Sequence, residues 1–212
     1  MSFPMFQGSL LDAGEPEFGS LARIVRHPLT AGAWVDYREG WLAGADEVYA
    51  DLTERVPWIA ERRPMYERVV DVPRLVKHYE PGEALPNPWL DRARKLLNRH
   101  YRAELGEEFV SCGLCWYRDG RDSVAWHGDT IGRGSTEDTM VAILSVGAAR
   151  TLALRPRAGG KRGALARRFE LGHGDLLVMG GSCQRTWEHG IAKTRKPVGP
   201  RISIQFRPAG VR

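Results

Sequence analysis

The apolar positions of this chain change their period near residue 108, and the two sides of that point predict different architecture. Before it, Leu42, Val48, Leu52 and Val56 recur at near-helical spacing from Trp41 to Val56. Pro57 closes the run, since a proline nitrogen donates no hydrogen bond. A second helix is expected over Trp89–Leu105, with Leu90, Ala93, Leu96, Leu97 and Tyr101 on one side and basic residues elsewhere. Ala33-Trp34-Val35-Asp36-Tyr37 reads as a short strand, and the basic and aromatic mixture over residues 58–81 as hairpins or loops. Residues 1–20, rich in Gly, Pro and acid, are expected to wrap the surface.

After Glu108 the apolar runs are short: Phe109–Tyr117, Val124–Trp126, Val141–Val146, Thr151–Leu154, Leu176–Met179, Gln184–Trp187 and Ile202–Phe206. Turns rich in Gly, Asp and Arg separate them, which predicts an antiparallel sandwich or jelly-roll barrel. The boundaries drawn are an N-terminal extension over 1–107, with helices and hairpins, and a β core over 108–212, integrated into one domain.

Composition narrows the class. The chain has 212 residues, 42% hydrophobic and 27% charged, enough to bury a core of ordinary size. No apolar run approaches the ~18–20 residues that span a bilayer, and the start of the chain lacks a signal-peptide pattern. Three cysteines make no disulfide framework, so a reducing, cytoplasmic setting is expected; a monomer is expected as well. The net charge is +5, and it is unevenly placed. Arg155, Arg157, Lys161, Arg162, Arg167 and Arg168 fall within a stretch free of acid, and Lys193, Arg195 and Lys196 form a second group. Such groups suit phosphate backbones.

The chemistry centres on His127-Gly128-Asp129, which follows the apolar run ending at Trp126. In a strand, residues i and i+2 share a face, so an imidazole and a carboxylate are presented together. His189, expected just after the strand Gln184–Trp187, completes a 2-His-1-carboxylate set, which leaves positions open on iron(II). A second His-x-Asp, His173-Gly174-Asp175, lies in a glycine-flanked turn, where turn chemistry accounts for the carboxylate. Arg201-Ile202-Ser203-Ile204-Gln205-Phe206-Arg207 alternates strictly. Two arginines on one inward face need anions, and a dicarboxylate and an iron-ligating carboxylate would supply them. Cys112 and Cys115 project to opposite faces of their strand and make no zinc site, and Gly180-Gly181-Ser182 reads as a turn.

Taken together, His127, Asp129, His189, Arg201 and Arg207 resemble the AlkB family of nucleic-acid dealkylating dioxygenases. The resemblance also includes Pro73-Arg74-Leu75, Tyr117-Arg118-Asp119-Gly120, Leu144-Ser145-Val146-Gly147, Gly174-Asp175-Leu176-Leu177-Val178-Met179 and Trp187-Glu188-His189. It implies an α+β fold with a double-stranded β-helix (jelly-roll) core, buttressed by N-terminal helices and nucleotide-recognition hairpins. It implies Fe(II) held by His127, Asp129 and His189, with 2-oxoglutarate and O2 as cosubstrates. Arg201, assisted by Tyr117, would pair with the distal carboxylate of 2-oxoglutarate, and Arg207 would sit near the metal-proximal end. Two positions where the family often has Asn, both near the cosubstrate, are Cys115 and Ser203 here.

The implied activity is oxidative demethylation of bases such as 1-methyladenine and 3-methylcytosine in DNA, as alkylation repair. The same chemistry on RNA or tRNA is an alternative, as is a non-catalytic nucleic-acid-binding module. The basic runs match in position the loops that grip DNA in duplex-acting relatives, so Arg155, Arg157, Arg162, Lys193, Arg195 and Lys196 are expected at the nucleic acid. Trp58, Tyr66 and Tyr79 are candidate base-stacking platforms.

Overall fold

Alternation along the strands decides which side chains meet which of two cores. A computed structural model of the chain describes residues 14–65, 68–157 and 166–211; Tyr66, Lys161, Arg162 and residues 1–13 lie outside them. The strands are β1 (Glu17–Phe18), β2 (Val25–Pro28), β3 (Ala33–Arg38), β4 (Leu42–Ala43), β5 (Ile59–Met65), β6 (Arg68–Tyr79), β7 (Phe109–Tyr117), β8 (Val124–His127), β9 (Val141–Gly147), β10 (Arg150–Pro156), β11 (Arg167–Leu171), β12 (Asp175–Gly181), β13 (Trp187–Ile191) and β14 (Arg201–Pro208). The helices are α1 (Ala45–Arg55), α2 (Pro88–Leu105) and the single turn α3 (Cys183–Thr186).

Eight strands form a large antiparallel sheet in the order β2-β3-β12-β9-β14-β7-β6-β5, and four form a smaller one in the order β11-β10-β13-β8. Val35, Tyr117, Ile143 and Leu177 of the large sheet meet Leu152, Leu154, Phe169 and Trp187 of the small one in a shared core. This two-sheet β core, with helices against one face, is the expected jelly roll. A second core lies on the other face of the large sheet, where Val48 and Leu52 of α1 and Leu90, Ala93, Leu97 and Tyr101 of α2 pack on Leu114, Leu144, Ile202, Ile204 and Phe206. Cys112 and Cys115 fall in different cores, as opposite-facing positions of β7 must.

The helices have local reasons to begin and end. Asn87 caps α2 by accepting from the Trp89 N–H at 2.8 Å, Pro88 occupies its first turn, and Gly106 ends it in the left-handed conformation. The first helix starts at Ala45, four residues later than the apolar spacing predicts. Gly40 and Gly44 both have positive φ, Leu42–Ala43 pairs with β1, and Trp41 is fully buried outside the helix. The region over 58–81 is the long β5–β6 hairpin, whose second strand joins β7.

One expected strand is absent. Cys183–Thr186 is a helical turn, so Gln184 lies in α3 and β13 begins at Trp187. Ser182 accepts from the Thr186 N–H at 2.9 Å through its carbonyl, which closes the turn.

Candidate metal centre

Strand β14 carries the cavity wall. Ile202, Ile204 and Phe206 point to the helical core, each worth about 1.5–3 kcal/mol when fully buried. Arg201, Ser203, Gln205 and Arg207 therefore face the space between the sheets, where all four line one cavity with His127, Asp129 and His189. A one-residue slip would exchange three apolar side chains for two arginines, so the register is strongly specified.

His127 and His189 sit directly opposite each other on β8 and β13, with ring centroids 4.3 Å apart. Between His189 and Ile191 the pairing with β8 shifts register, and this irregularity lets Val124 and His127 both face the cavity despite their odd separation. The strand ends at His127, so Asp129 reaches the site from the following turn rather than from a continued strand. Gly128 makes that turn possible: a Cβ there would stand 2.2 Å from the Gln184 carbonyl oxygen. Gln184 then accepts from the buried Asp129 N–H at 2.9 Å, fixing the carboxylate's backbone.

The ligand atoms of His127, Asp129 and His189 all lie within 4.8 Å of one another. His127 Nδ1 lies 2.8 Å from the Ala125 carbonyl oxygen, which can only accept, so Nδ1 carries the proton. Its Nε2, the nitrogen left to face a metal, lies 3.7 Å from Asp129 Oδ1. Burial, then the neighbouring His127, push His189 down to about 3, so it is neutral and able to ligate at neutral pH. Burial would raise the Asp129 carboxyl, but the neighbouring positive charge, the Arg207 guanidinium foremost, outweighs it and holds it below the usual carboxylate range. Arg207 Nε donates to Asp129 Oδ2 at 2.7 Å, so the ligand carboxylate is oriented from its outer oxygen. Two imidazoles and one oriented carboxylate fit a divalent iron that keeps open positions.

At the far end of the strand face, Arg201 is fully buried. Its Nε donates to Ser145 Oγ at 2.8 Å, while Nη1 and Nη2 are buried without a hydrogen-bond partner among the described residues. Buried donors are nearly always satisfied, so this guanidinium fork fits an incoming carboxylate. It lies over the Tyr117 ring, 5.5 Å from the centroid. Between the two arginines, Gln205 accepts from Arg207 Nη2 at 2.7 Å and donates to Ser203 Oγ at 3.2 Å and Cys115 Sγ at 3.5 Å. Arg74 also lines the cavity; its Nη1 donates to the Ser123 carbonyl and its Nε is buried unpaired.

The outlying candidates distribute differently. Tyr79 is buried in the helical core and Trp58 packs against it, 5.4 Å from Trp116; neither lines the cavity. Arg155 pairs with Glu188 at 2.9 Å and stacks over Trp126 at 4.3 Å. Arg157 reaches the Gly128 turn, and its buried Nε has no hydrogen-bond partner among the described residues. Lys193, Arg195 and Lys196 are exposed on the segment between β13 and β14. Gln184 carried no sequence signal as a site residue, while Ser145 and Gln205 lay within the patterns singled out without a role assigned to either. The second His-x-Asp is structural: Asp175 accepts from the Gly40 and Gly172 N–H groups and from Tyr37 Oη.

Comparison with known proteins agrees with this geometry. A family model described as the 2OG-Fe(II) oxygenase superfamily matches residues 52–207. Alpha-ketoglutarate-dependent dioxygenase alkB homolog 3 of Homo sapiens is 31% identical over 205 residues, covering 88% of this chain and 66% of that protein. DNA oxidative demethylase ALKBH2 of Homo sapiens is 27% identical over 183 residues, covering 78% of this chain and 69% of that protein. The chain thus spans just under two thirds of the alkB homolog 3 relative. Among solved structures, a Pseudomonas putida prolyl-4-hydroxylase superposes with a TM-score of 0.55 at 19% identity, covering 83% of this chain and 93% of its own, a likeness of fold. OsALKBH1 gives the same TM-score at 12% identity, covering 87% and 100%. The chain belongs to the 2OG-Fe(II) oxygenase superfamily, on its AlkB branch.

Proposed function

We propose that this protein is an Fe(II)/2-oxoglutarate dioxygenase that oxidatively demethylates alkylated bases in nucleic acid, with DNA bases of the 1-methyladenine and 3-methylcytosine type as substrates. The observation that carries the reading is Arg201: a fully buried guanidinium with two unpaired nitrogens, in the same cavity as a His/Asp/His triad. The two similar proteins whose names describe a dioxygenase and a DNA oxidative demethylase support the choice of chemistry and polymer.

With iron, 2-oxoglutarate and O2 bound, the group supplies oxidation of an N-methyl C–H to an alcohol, coupled to conversion of 2-oxoglutarate to succinate and CO2; the N-hydroxymethyl product then loses formaldehyde. The chain's own residues do the rest. His127 and His189 would present their imidazoles to the iron, His127 oriented by the Ala125 carbonyl and His189 kept neutral by burial. Arg207 holds Asp129 as an ionised ligand. Arg201, held in place by Ser145, would take the distal carboxylate, and Gln205 ties Arg207 to Ser203 and Cys115 across the middle of the cavity. The apolar walls, Val141, Ile143 and Leu152, keep this space poor in water, which strengthens each charge-assisted contact.

The test is formaldehyde release by purified protein with iron(II), ascorbate and 2-oxoglutarate, offered matched methylated DNA and RNA oligonucleotides. Iron-dependent release from the DNA is expected. Release from RNA alone would move the substrate to RNA. Silence on all of them, without uncoupled succinate, would leave a nucleic-acid-binding module.

A further inference from the structure

On the helical side of the large sheet, a groove of about 570 Å³ runs between α2 and the loop after β6. Arg94, Lys95, Arg99 and Arg102 of α2 line it, with Pro81-Gly82 and Phe109-Val110 along the other wall. Arg94 is already engaged, with Asp91 at 2.7 Å and the Val110 carbonyl at 3.1 Å. Lys95, Arg99 and Arg102 are exposed, and among the described residues their side chains have no hydrogen-bond or ion-pair partner. They stand at i, i+4 and i+7, one face of the helix, over about 10 Å of its length. Like charges at this spacing disfavour a helix, and the stripe has one acid in its wall, Glu108. The opposite face of α2, through Leu90, Ala93, Leu97 and Tyr101, is committed to the core.

The groove also has a defined position relative to the triad. It meets the sheet at Phe109–Val110, and the next residue, Ser111, is the register partner of Arg207, which holds Asp129. The basic stripe therefore lies near the end of β7 that pairs with Arg207, on the face of the sheet opposite the triad cavity, so that a strand serving both passes round the end of the sheet. We infer that this groove binds backbone phosphates of the same nucleic-acid strand whose base enters the triad cavity, an inference that rests on the proposed function. Three cations over about 10 Å of helix can meet up to three consecutive phosphates of a stacked strand, whose repeat in duplex DNA is about 3.4 Å of axis.

The test compares wild type with the triple variant Lys95→Gln, Arg99→Gln, Arg102→Gln, chosen because glutamine is a good helix former. Binding of a fluorescent single-stranded 20-mer carrying 1-methyladenine is measured against salt. Losing three phosphate contacts should reduce the slope of log affinity on log salt by about 2, equivalent to about 100-fold weaker binding at 0.1 M salt. Uncoupled succinate formation, which needs no nucleic acid, should stay at wild-type levels and so report an intact fold. Wild-type binding with an unchanged slope in the variant overturns the groove alone and assigns the stripe to another polyanion, such as an acidic protein. A wild type that neither binds nor demethylates any oligonucleotide overturns the proposed substrate and the groove together.

Discussion

Replacing Arg201 with methionine should leave the empty protein as stable as wild type, or more so, while crippling its use of 2-oxoglutarate. Burial pulls this guanidinium down to about 10 from its ordinary 12.5. At about 1.4 kcal/mol per pH unit, that is a penalty of about 3 kcal/mol on the charged form. At pH 7 the group is charged in both folded and unfolded states, so the penalty is present in full and is relieved only above pH 10. Methionine removes it and keeps most of the apolar stem's packing, at the loss of the Ser145 hydrogen bond, worth about 1.5–3 kcal/mol for a charged donor. The net change in the cosubstrate-free protein is roughly 0 to +1.5 kcal/mol of stability. Losing a desolvated ion pair to the cosubstrate costs about 2–5 kcal/mol, a rise in apparent KM of about 30-fold to several thousand-fold. Succinate formation against 2-oxoglutarate concentration reads the second effect. Thermal unfolding under anaerobic conditions reads the first, and wild type should gain about 2.7 kcal/mol at a hundred times its Kd, where a variant binding at least 30-fold more weakly gains about 0.9 kcal/mol or less. An unchanged KM, or a variant that unfolds several kcal/mol more easily, would refute the reasoning.

Three further outcomes follow from the same geometry. His189 resists protonation when folded, falling to about 3 from 6.5, whereas the unfolded chain takes up the proton. The metal-free protein should therefore lose up to about 1.4 kcal/mol of stability per pH unit below pH 6.5; urea unfolding at pH 7 and pH 5 should show the loss in wild type, and a much smaller one in His189→Gln. Gln184→Leu strands the buried Asp129 N–H, which should cost about 1–3 kcal/mol of stability and weaken iron binding about 10- to 100-fold; iron titration showing wild-type affinity would exclude that role. Gly128→Ala places a Cβ against the Gln184 and Trp187 carbonyl oxygens, so iron binding should be largely lost while the β core still melts cooperatively. A Gly128→Ala protein with normal iron affinity would mean the turn shifts freely.

Much of this site was readable because its signals are local. The Arg-x-Ser-x-Gln-x-Arg face of β14 stands out by strict alternation, and both ends of β7 match the apolar run Phe109–Tyr117. What placed His189 opposite His127 was not local: the β8–β13 pairing joins residues 62 positions apart. The run Gln184–Trp187 misled because four residues cannot separate a helical turn from a strand, and the turn is fixed by Ser182, which lies outside it. β11 escaped notice because Arg167-Arg168-Phe169-Glu170-Leu171 buries two side chains and reads as charge. Gln184 and Ser145 gained meaning only from contacts across the fold, with Asp129 and Arg201.

The most direct test of the central claim measures succinate and formaldehyde together, from wild type and from His127→Ala, on a 1-methyladenine oligonucleotide with iron(II) and 2-oxoglutarate. The account predicts near-equal yields of the two products from wild type and neither from the variant, with the variant's fold retained by thermal unfolding. Full turnover by His127→Ala, or product formation that ignores removal of iron, would contradict it.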